Sequence, residues 1–410
     1  MKARNKTNVK TKRLFKLMYW AASLSTLALF IFTAICAAVM PDSFTFTDGA
    51  TAQNCAPIPA LTIVKNSDTE EDGGKLVFAN IFPVKDVSIT SREDIKVIPG
   101  GTPFGVRMFT HGVMAVKTEV VSADGKSCCP AGDGGIEVGD TIISVDGISV
   151  TSNSQLSKLV NESGGEEMTF SVKRNDKTFT TEVTPIKTAE DEYKIGLWVR
   201  DSSAGIGTIT FYCEDNSGFA GLGHGICDVD TGQLMPLDHG DIVQASIDTV
   251  TRGLKGSPGS LNGHFKSSGT VGNLNCNNET GVYGTVQSVP DGAAVSVASV
   301  QEVQTGCATV LTTVSGETPE EYSIEIESIG YDENNKTKNM VIRITDERLL
   351  ESTGGIVQGM SGSPILQNGK LVGAVTHVFV NAPDKGYAIF AENMLSDYAN
   401  ATGLYVNEAA

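Results

Sequence analysis

At 410 residues the chain is too long for one small domain, and its length suggests two or three. Its formal net charge of −17 is unevenly placed, because the first sixteen residues carry seven bases and no acid, leaving 24 bases against 48 acids beyond them. A body of that sign is repelled by nucleic acid and anionic lipid, so the expected partners are proteins or peptides.

The basic tail, 1–16, holds Lys2, Arg4, Lys6, Lys10, Lys12, Arg13 and Lys16. From Leu17 to Met40 run 24 residues without a charged side chain, enough to cross a bilayer as a helix. The basic flank places the tail in the cytoplasm and everything after the helix outside. Ala34, Ala37 and Ala38 would also suit a cleaved signal peptide. The apolar run exceeds the usual signal core of about 7–15 residues, which favours a retained anchor over 17–40. Residues 41–95 read as a polar, Pro/Gly-rich stalk with leading strands at Leu76–Ala79 and Val87–Thr90.

Over 96–188 the pattern predicts compact β structure with one short helix, Ser154–Val160. A strand opens at Phe104-Gly105-Val106-Arg107-Met108, Val113–Val121 alternates as a second, and Met168–Lys173 pairs with Lys177–Pro185 across Asn175-Asp176. The run Gly135-Ile136-Glu137-Val138-Gly139-Asp140, continuing to Val145-Asp146-Gly147, resembles the signature of PDZ domains. That resemblance implies that a peptide adds as a strand beside Gly105, Val106, Arg107 and Met108, with backbone amides holding its terminal carboxylate. The Gly/Cys-rich loop Ser122–Gly134 departs from the PDZ pattern, and a spacer that binds nothing is the competing reading.

Residues 189–410 are short strands and turns, closed by a helix near Ala391–Tyr398. Strands are expected at Gly196–Arg200, Gly207–Tyr212, Ile242–Val250, Gly281–Val289, Tyr322–Ile329, Met340–Ile344, Gly354–Val357, Pro364–Leu366 and Leu371–Thr376, among others. Such spacing predicts a double barrel or a large sandwich, and a mostly β fold for the whole chain.

The chemistry centres on Gly359-Met360-Ser361-Gly362-Ser363-Pro364, followed by a hairpin through Asn368-Gly369. This run resembles the nucleophile loop of trypsin-like serine peptidases. A nucleophilic hydroxyl must stand clear of its neighbours, so small residues flank Ser361. The amides of Gly359 and Ser361 can then meet at one point, an oxyanion hole. Ser363 is the rival hydroxyl, beside Pro364. Of five histidines, His224 in Gly223-His224-Gly225 is the expected general base, with His377 and His264 as fallbacks. The acid that would orient it is expected at Asp346, fifteen residues before Ser361, with Asp228, Asp241 and Asp248 as alternatives.

Together the apolar helix, the PDZ-like segment, Gly223-His224-Gly225-Ile226-Cys227-Asp228 and the stretch from Gln358 to Asn381 resemble the stage IV sporulation protein B peptidases. The resemblance implies a His224–Asp346–Ser361 triad. It also implies secretion into the space between forespore and mother cell, cleavage of a membrane-tethered regulator that leads to activation of a late sigma factor, and, in some members, self-cleavage near the N-terminus. Met360 stands where trypsin-like enzymes keep an aspartate for a newly cut N-terminus, so activation must work differently. Gly355 occupies the position that sets side-chain preference, and without a charge there no demand for Lys or Arg is expected.

No cofactor and no metal is expected: none of the eight cysteines forms a CxxC pair, and no HExxH occurs. Cys213 with Cys227 and Cys276 with Cys307 are candidate disulfides, against the alternative of reduced thiols. A catalytically inactive peptide-binding scaffold is the main rival function. An α/β-hydrolase is disfavoured by the missing strand–helix alternation.

Overall fold

A computed structural model of the chain describes residues 2–47, 60–65, 73–123, 126–175, 177–213, 217–332 and 334–402. The long helix Lys2–Val39 opens the chain. Its Phe15–Val39 stretch, with mean hydropathy 2.2, is the one helix among the described residues long and apolar enough to cross a membrane.

The segment expected as a stalk holds a folded sheet instead. Strands lie in the order Ser43–Thr47, Phe82–Arg92, Gly73–Phe78 and Leu61–Lys65, the first pair parallel. Period-two placement of Phe44 and Phe46, and of Val87 and Ile89, turns one face inward. Cys36 and Met40, from the end of the long helix, pack into the same core.

Two six-stranded barrels follow. The first closes through Pro103–Thr118, Leu237–Thr251, Ser260–Asn278, Gly281–Val286, Gly218–Gly221 and Leu197–Cys213, the last pairing back to the first. The second closes through Gly306–Thr312, Glu320–Ile329, Met340–Ile344, Ala382–Phe390, Lys370–Phe379 and Pro364–Gln367. Closure leaves no free sheet edge, and alternate apolar side chains fill each interior, Ile324, Ile326, Ile342 and Ile344 in the second. The terminal helix Ala391–Thr402 buries Met394, Leu395 and Tyr398 against Phe211 and Tyr283 of the first barrel.

The division at 188 does not follow the strand pairing. Pro103–Thr118 and Leu197–Cys213 form one long hairpin whose base belongs to the first barrel and whose far end carries the PDZ module. That module packs Val113, Ile142, Val145, Phe170 and Val172 beneath the helix Asn153–Glu162, which buries Leu156 and Val160. The PDZ domain is thus inserted into the first barrel rather than strung ahead of it.

Two local expectations are corrected. Gly354–Val357 is not a strand: the helix Glu347–Thr353, capped by Asp346 and ended by left-handed Gly354, precedes a bend there. No disulfide joins Cys213 to Cys227 or Cys276 to Cys307, so neither expected pair forms, and Cys55 lies outside the described residues. The hairpin turn at Asn175-Asp176 has its second residue outside the described set.

Candidate active site

The two barrels meet along a cavity of about 490 Å³ that is lined by both His224 and Ser361. His224 follows the strand Gly218–Gly221 of the first barrel, where Leu222 (φ 68°) and Gly223 (φ 69°) turn the backbone left-handed. A carbonyl can only accept, so the contact of its Nδ1 with Gly225 O at 2.9 Å means that Nδ1 carries the proton. The other nitrogen, Nε2, is left as the acceptor a general base requires. Burial holds the His224 pKa below the ordinary histidine value, which keeps the ring neutral.

Ser361 comes from the second barrel, in the loop between the helix Glu347–Thr353 and the strand Pro364–Gln367. The first barrel holds that loop in place through two threonines. Thr208 donates its N–H to Ser361 O at 3.0 Å and its Oγ1 proton to Gly359 O at 2.8 Å. Thr210 Oγ1 donates to Gly362 O at 2.8 Å. Gly362 has φ 94°, and a Cβ there would lie 2.0 Å from Thr208 O, so no other residue fits that approach. Sequence reasoning missed both threonines: they sit on an ordinary strand pattern with nothing local to mark them.

The amides of Gly359 and Ser361 donate to no acceptor among the described residues. Each belongs to a peptide plane whose carbonyl is already held, Gln358 O by Leu261 N at 2.8 Å and Met360 O by Ser363 N at 3.0 Å. In a trans peptide the N–H points opposite the C=O, so fixing the carbonyls aims the two donors. The rival hydroxyl, Ser363 Oγ, is fully buried and bonded to Thr312 Oγ1 at 2.9 Å. Ser361 Oγ rests on Thr376 O at 2.8 Å, and no hydrogen bond joins it to His224.

His377 shares the cavity, its ring 5.1 Å from that of His224. Partial burial, then the neighbouring His224 and Lys338, lower His377 to about 4. The cavity wall beyond Ser361 is apolar, with Ile356, Val357, Val378 and Val380.

Asp346 is not brought to this cavity. Its carboxylate accepts from the N–H and guanidinium of Arg348 and from Ser323 N, and these bonds, the Arg348 side chain foremost, hold it down to about 2. The alternative acids are engaged elsewhere: Asp228 with Arg200, Asp241 with Arg107 at 3.1 Å, and Asp248 with His264 at 2.9 Å.

The peptide site expected at Gly105–Met108 is corrected too. Val106 pairs with Gly205 on one side and Ile242 on the other, so the strand has no free edge for a peptide to join. The open groove of the PDZ module, about 710 Å³, lies instead between the helix Asn153–Glu162 and the run Ile195–Val199. Gly196, at φ 70° between two apolar residues, was the available signal.

A family model described as SpoIVB peptidase S55 matches residues 191–395, half the chain, and a PDZ model matches 121–174. The chain belongs to the SpoIVB peptidase S55 family. The S55 span takes in His224, Asp346 and Ser361, and the PDZ span falls in the insertion before it. A Bartonella henselae protein named as a zinc metalloprotease is 35% identical over 99 residues, which cover 24% of this chain and 27% of that one. The chain thus spans about a quarter of the length of that curated relative. Among solved structures, the HtrA-type protease AlgW with decapeptide is 12% identical with a TM-score of 0.30, covering 50% of this chain and 55% of that one. The active form of the Rv3671c protease from M. tuberculosis is 14% identical with a TM-score of 0.28, covering 51% and 76%. The PDZ domain of an SdrC-like protein from Listeria monocytogenes is 21% identical with a TM-score of 0.18, covering 22% and 87%.

Proposed function

We propose that this S55 family member is a membrane-anchored serine endopeptidase with Ser361 as nucleophile and His224 as general base. One observation carries the reading: a half-buried hydroxyl and an imidazole from different barrels line one cavity beside two aimed amides that donate to no acceptor among the described residues. In the proposed reaction Ser361 Oγ leaves Thr376 O, gives its proton to His224 Nε2 and attacks the substrate carbonyl. The amides of Gly359 and Ser361 receive the oxyanion, each worth roughly 2.7–4 kcal/mol in such sites. His224 then returns the proton to the leaving amine, and water repeats the sequence on the acyl-enzyme.

The third member of the triad is assigned differently from the family pattern. Gly225 O fixes the His224 tautomer, the task an aspartate performs elsewhere. Asp346 acts at a distance, as the cap of the helix that leads into the nucleophile loop. Peptides bind in the Ile195–Val199 groove of the PDZ module. The strand Leu197–Cys213 lines that groove at Val199 and the catalytic cavity from Ser203 to Gly207, which makes it the natural connection between them.

The apolar helix serves as the anchor, with the folded part outside the cytoplasm. Family membership and the PDZ module support a membrane-tethered regulatory protein as substrate, cleaved as a signal between compartments during sporulation, and self-cleavage near the N-terminus as a further activity. A peptide-binding scaffold without catalysis is favoured by one observation, the resting bond of Ser361 to Thr376 O. Labelling with a fluorophosphonate separates the two. Wild type should label and Ser361→Ala should not; an unlabelled wild type would leave the scaffold.

A further inference from the structure

The sheet next to the apolar helix ends in a hairpin tip of unusual composition. Between Gly73–Phe78 and Phe82–Arg92 the turn is Ala79-Asn80-Ile81, with Ala79 (φ 51°) and Asn80 (φ 59°) left-handed. Ile81 N–H donates to Phe78 O at 3.1 Å and Ala79 N–H to Ala60 O at 2.8 Å, so the tip is a held turn. Turns of this kind are ordinarily polar. Here Ile81 is 72% exposed and Phe82 41% exposed.

Two independent measures set the height of this tip along the helix. Phe32 of the helix packs against Phe78, with ring centroids 4.8 Å apart and the planes tilted by 58°. Lys85 Nζ donates to Met40 O at 2.5 Å, and Ser88 N–H to Asp42 O at 2.9 Å. From Met40 back to Phe32 is about 12 Å of helix. From Lys85 back to Phe82 is about 10 Å of strand. Helix and strand therefore run side by side in one direction, and the tip lies level with Phe32.

Phe32 is inside the apolar stretch Phe15–Val39. That stretch is about 37 Å long as a helix, against a hydrocarbon core of about 30 Å. Phe32 sits about 10 Å before its outer end, which puts the tip at the outer edge of the hydrocarbon. The first charges on the same side, Lys85 with Asp42 at 2.7 Å, come one step higher, level with Met40.

We infer that the Ala79–Phe82 tip is a second membrane contact, seated in the outer leaflet beside the anchoring helix. The occupant of the exposed apolar tip is lipid: burying Ile81 and Phe82 there is favourable, and aromatic residues suit the interface. Helix and tip together would hold the folded part at a fixed height and tilt over the bilayer, so that the cavity meets substrate segments close to the membrane. The inference rests on the anchor reading of Phe15–Val39.

The full chain, reconstituted in phosphatidylcholine vesicles, tests it through tryptophan fluorescence. Ile81→Trp is compared with wild type, which subtracts the native tryptophans, and with Val64→Trp, at an exposed position away from the tip. The expected result is a blue-shifted emission from position 81 that is quenched by lipids brominated near the ester end of the chain. Position 64 should remain unquenched. Protein that floats with vesicles while position 81 emits as in water, unquenched, overturns the inference and leaves the anchor standing. Protein that does not float at all overturns the anchor reading itself, and the second contact with it. Circular dichroism of Ile81→Trp matching wild type confirms that the comparison is made on folded protein.

Discussion

The ring of His377 lies 5.1 Å from the ring of His224, tilted by 39°. Both imidazoles are held below the ordinary histidine pKa of 6.5, His224 by burial and His377 by partial burial with His224 and Lys338 nearby. A base with a lowered pKa stays unprotonated further into acid. The acid limb of kcat/KM should therefore fall below pH 6.5 rather than at it. His377→Asp would place a carboxylate beside His224 and should move that limb upward; a pH profile of both proteins checks the shift and its sign. The same groups bear on stability. Unfolded histidine binds a proton more readily than either ring does when folded, so their contribution is complete above 6.5 and is lost as pH falls through the folded values.

Ser361→Ala and His224→Ala should each lower peptide hydrolysis by about a thousandfold or more, because the two act as a unit. Both side chains face the cavity, so thermal unfolding should shift little. Single-turnover assays beside melting curves check both halves.

Asp346 separates a capping role from a catalytic one. As a cap it loses about 1 kcal/mol on Asp346→Ala, read as a lowered melting temperature. Asp346→Asn keeps one acceptor oxygen, enough for the Arg348 amide that caps the helix though not for that of Ser323 as well, and should keep most activity. A triad acid would instead lose about ten-thousandfold on the same change. Measuring kcat for the Asn variant decides between them.

The threonine clamp bears on the proposed oxyanion hole. Thr208→Val keeps the backbone bond to Ser361 O but removes the Oγ1 bond to Gly359 O. It should reduce kcat more than KM, since the amides count only when charge develops. Gly362→Ala is expected to be harsher, because its Cβ would meet backbone atoms in both directions, Thr208 O and Leu222 N. A destabilisation of about 2 kcal/mol or more, with lost activity, should appear in denaturant melts.

Cleavage preference should be apolar. Gly355 cannot be replaced by a charged residue, since a Cβ there would lie 2.1 Å from Pro383 O, and the wall beside it is Ile356, Val357, Val378 and Val380. A peptide library should be cut after aliphatic or aromatic residues; cutting only after Lys or Arg would contradict the wall.

The local signals that were legible share a physical origin: each is a short-range requirement. Small residues around a nucleophile, glycines framing His224, the Gly139-Asp140 turn and an uncharged 24-residue run announce themselves because neighbours in sequence enforce them. The mostly β fold, the PDZ module and the family followed from such stretches. Tertiary structure alone determined that the PDZ module interrupts the first barrel, because one strand can serve two sheets along its length without any change in its alternation. It also determined that Gly105–Met108 has no free edge, that Asp346 turns to Arg348 rather than to His224, and that Thr208 and Thr210 hold the nucleophile loop. Apart from the Asp346–Arg348 bond, which is local, these are contacts between residues far apart in the chain, and neither a threonine nor a carboxylate carries a mark of which partner it will meet.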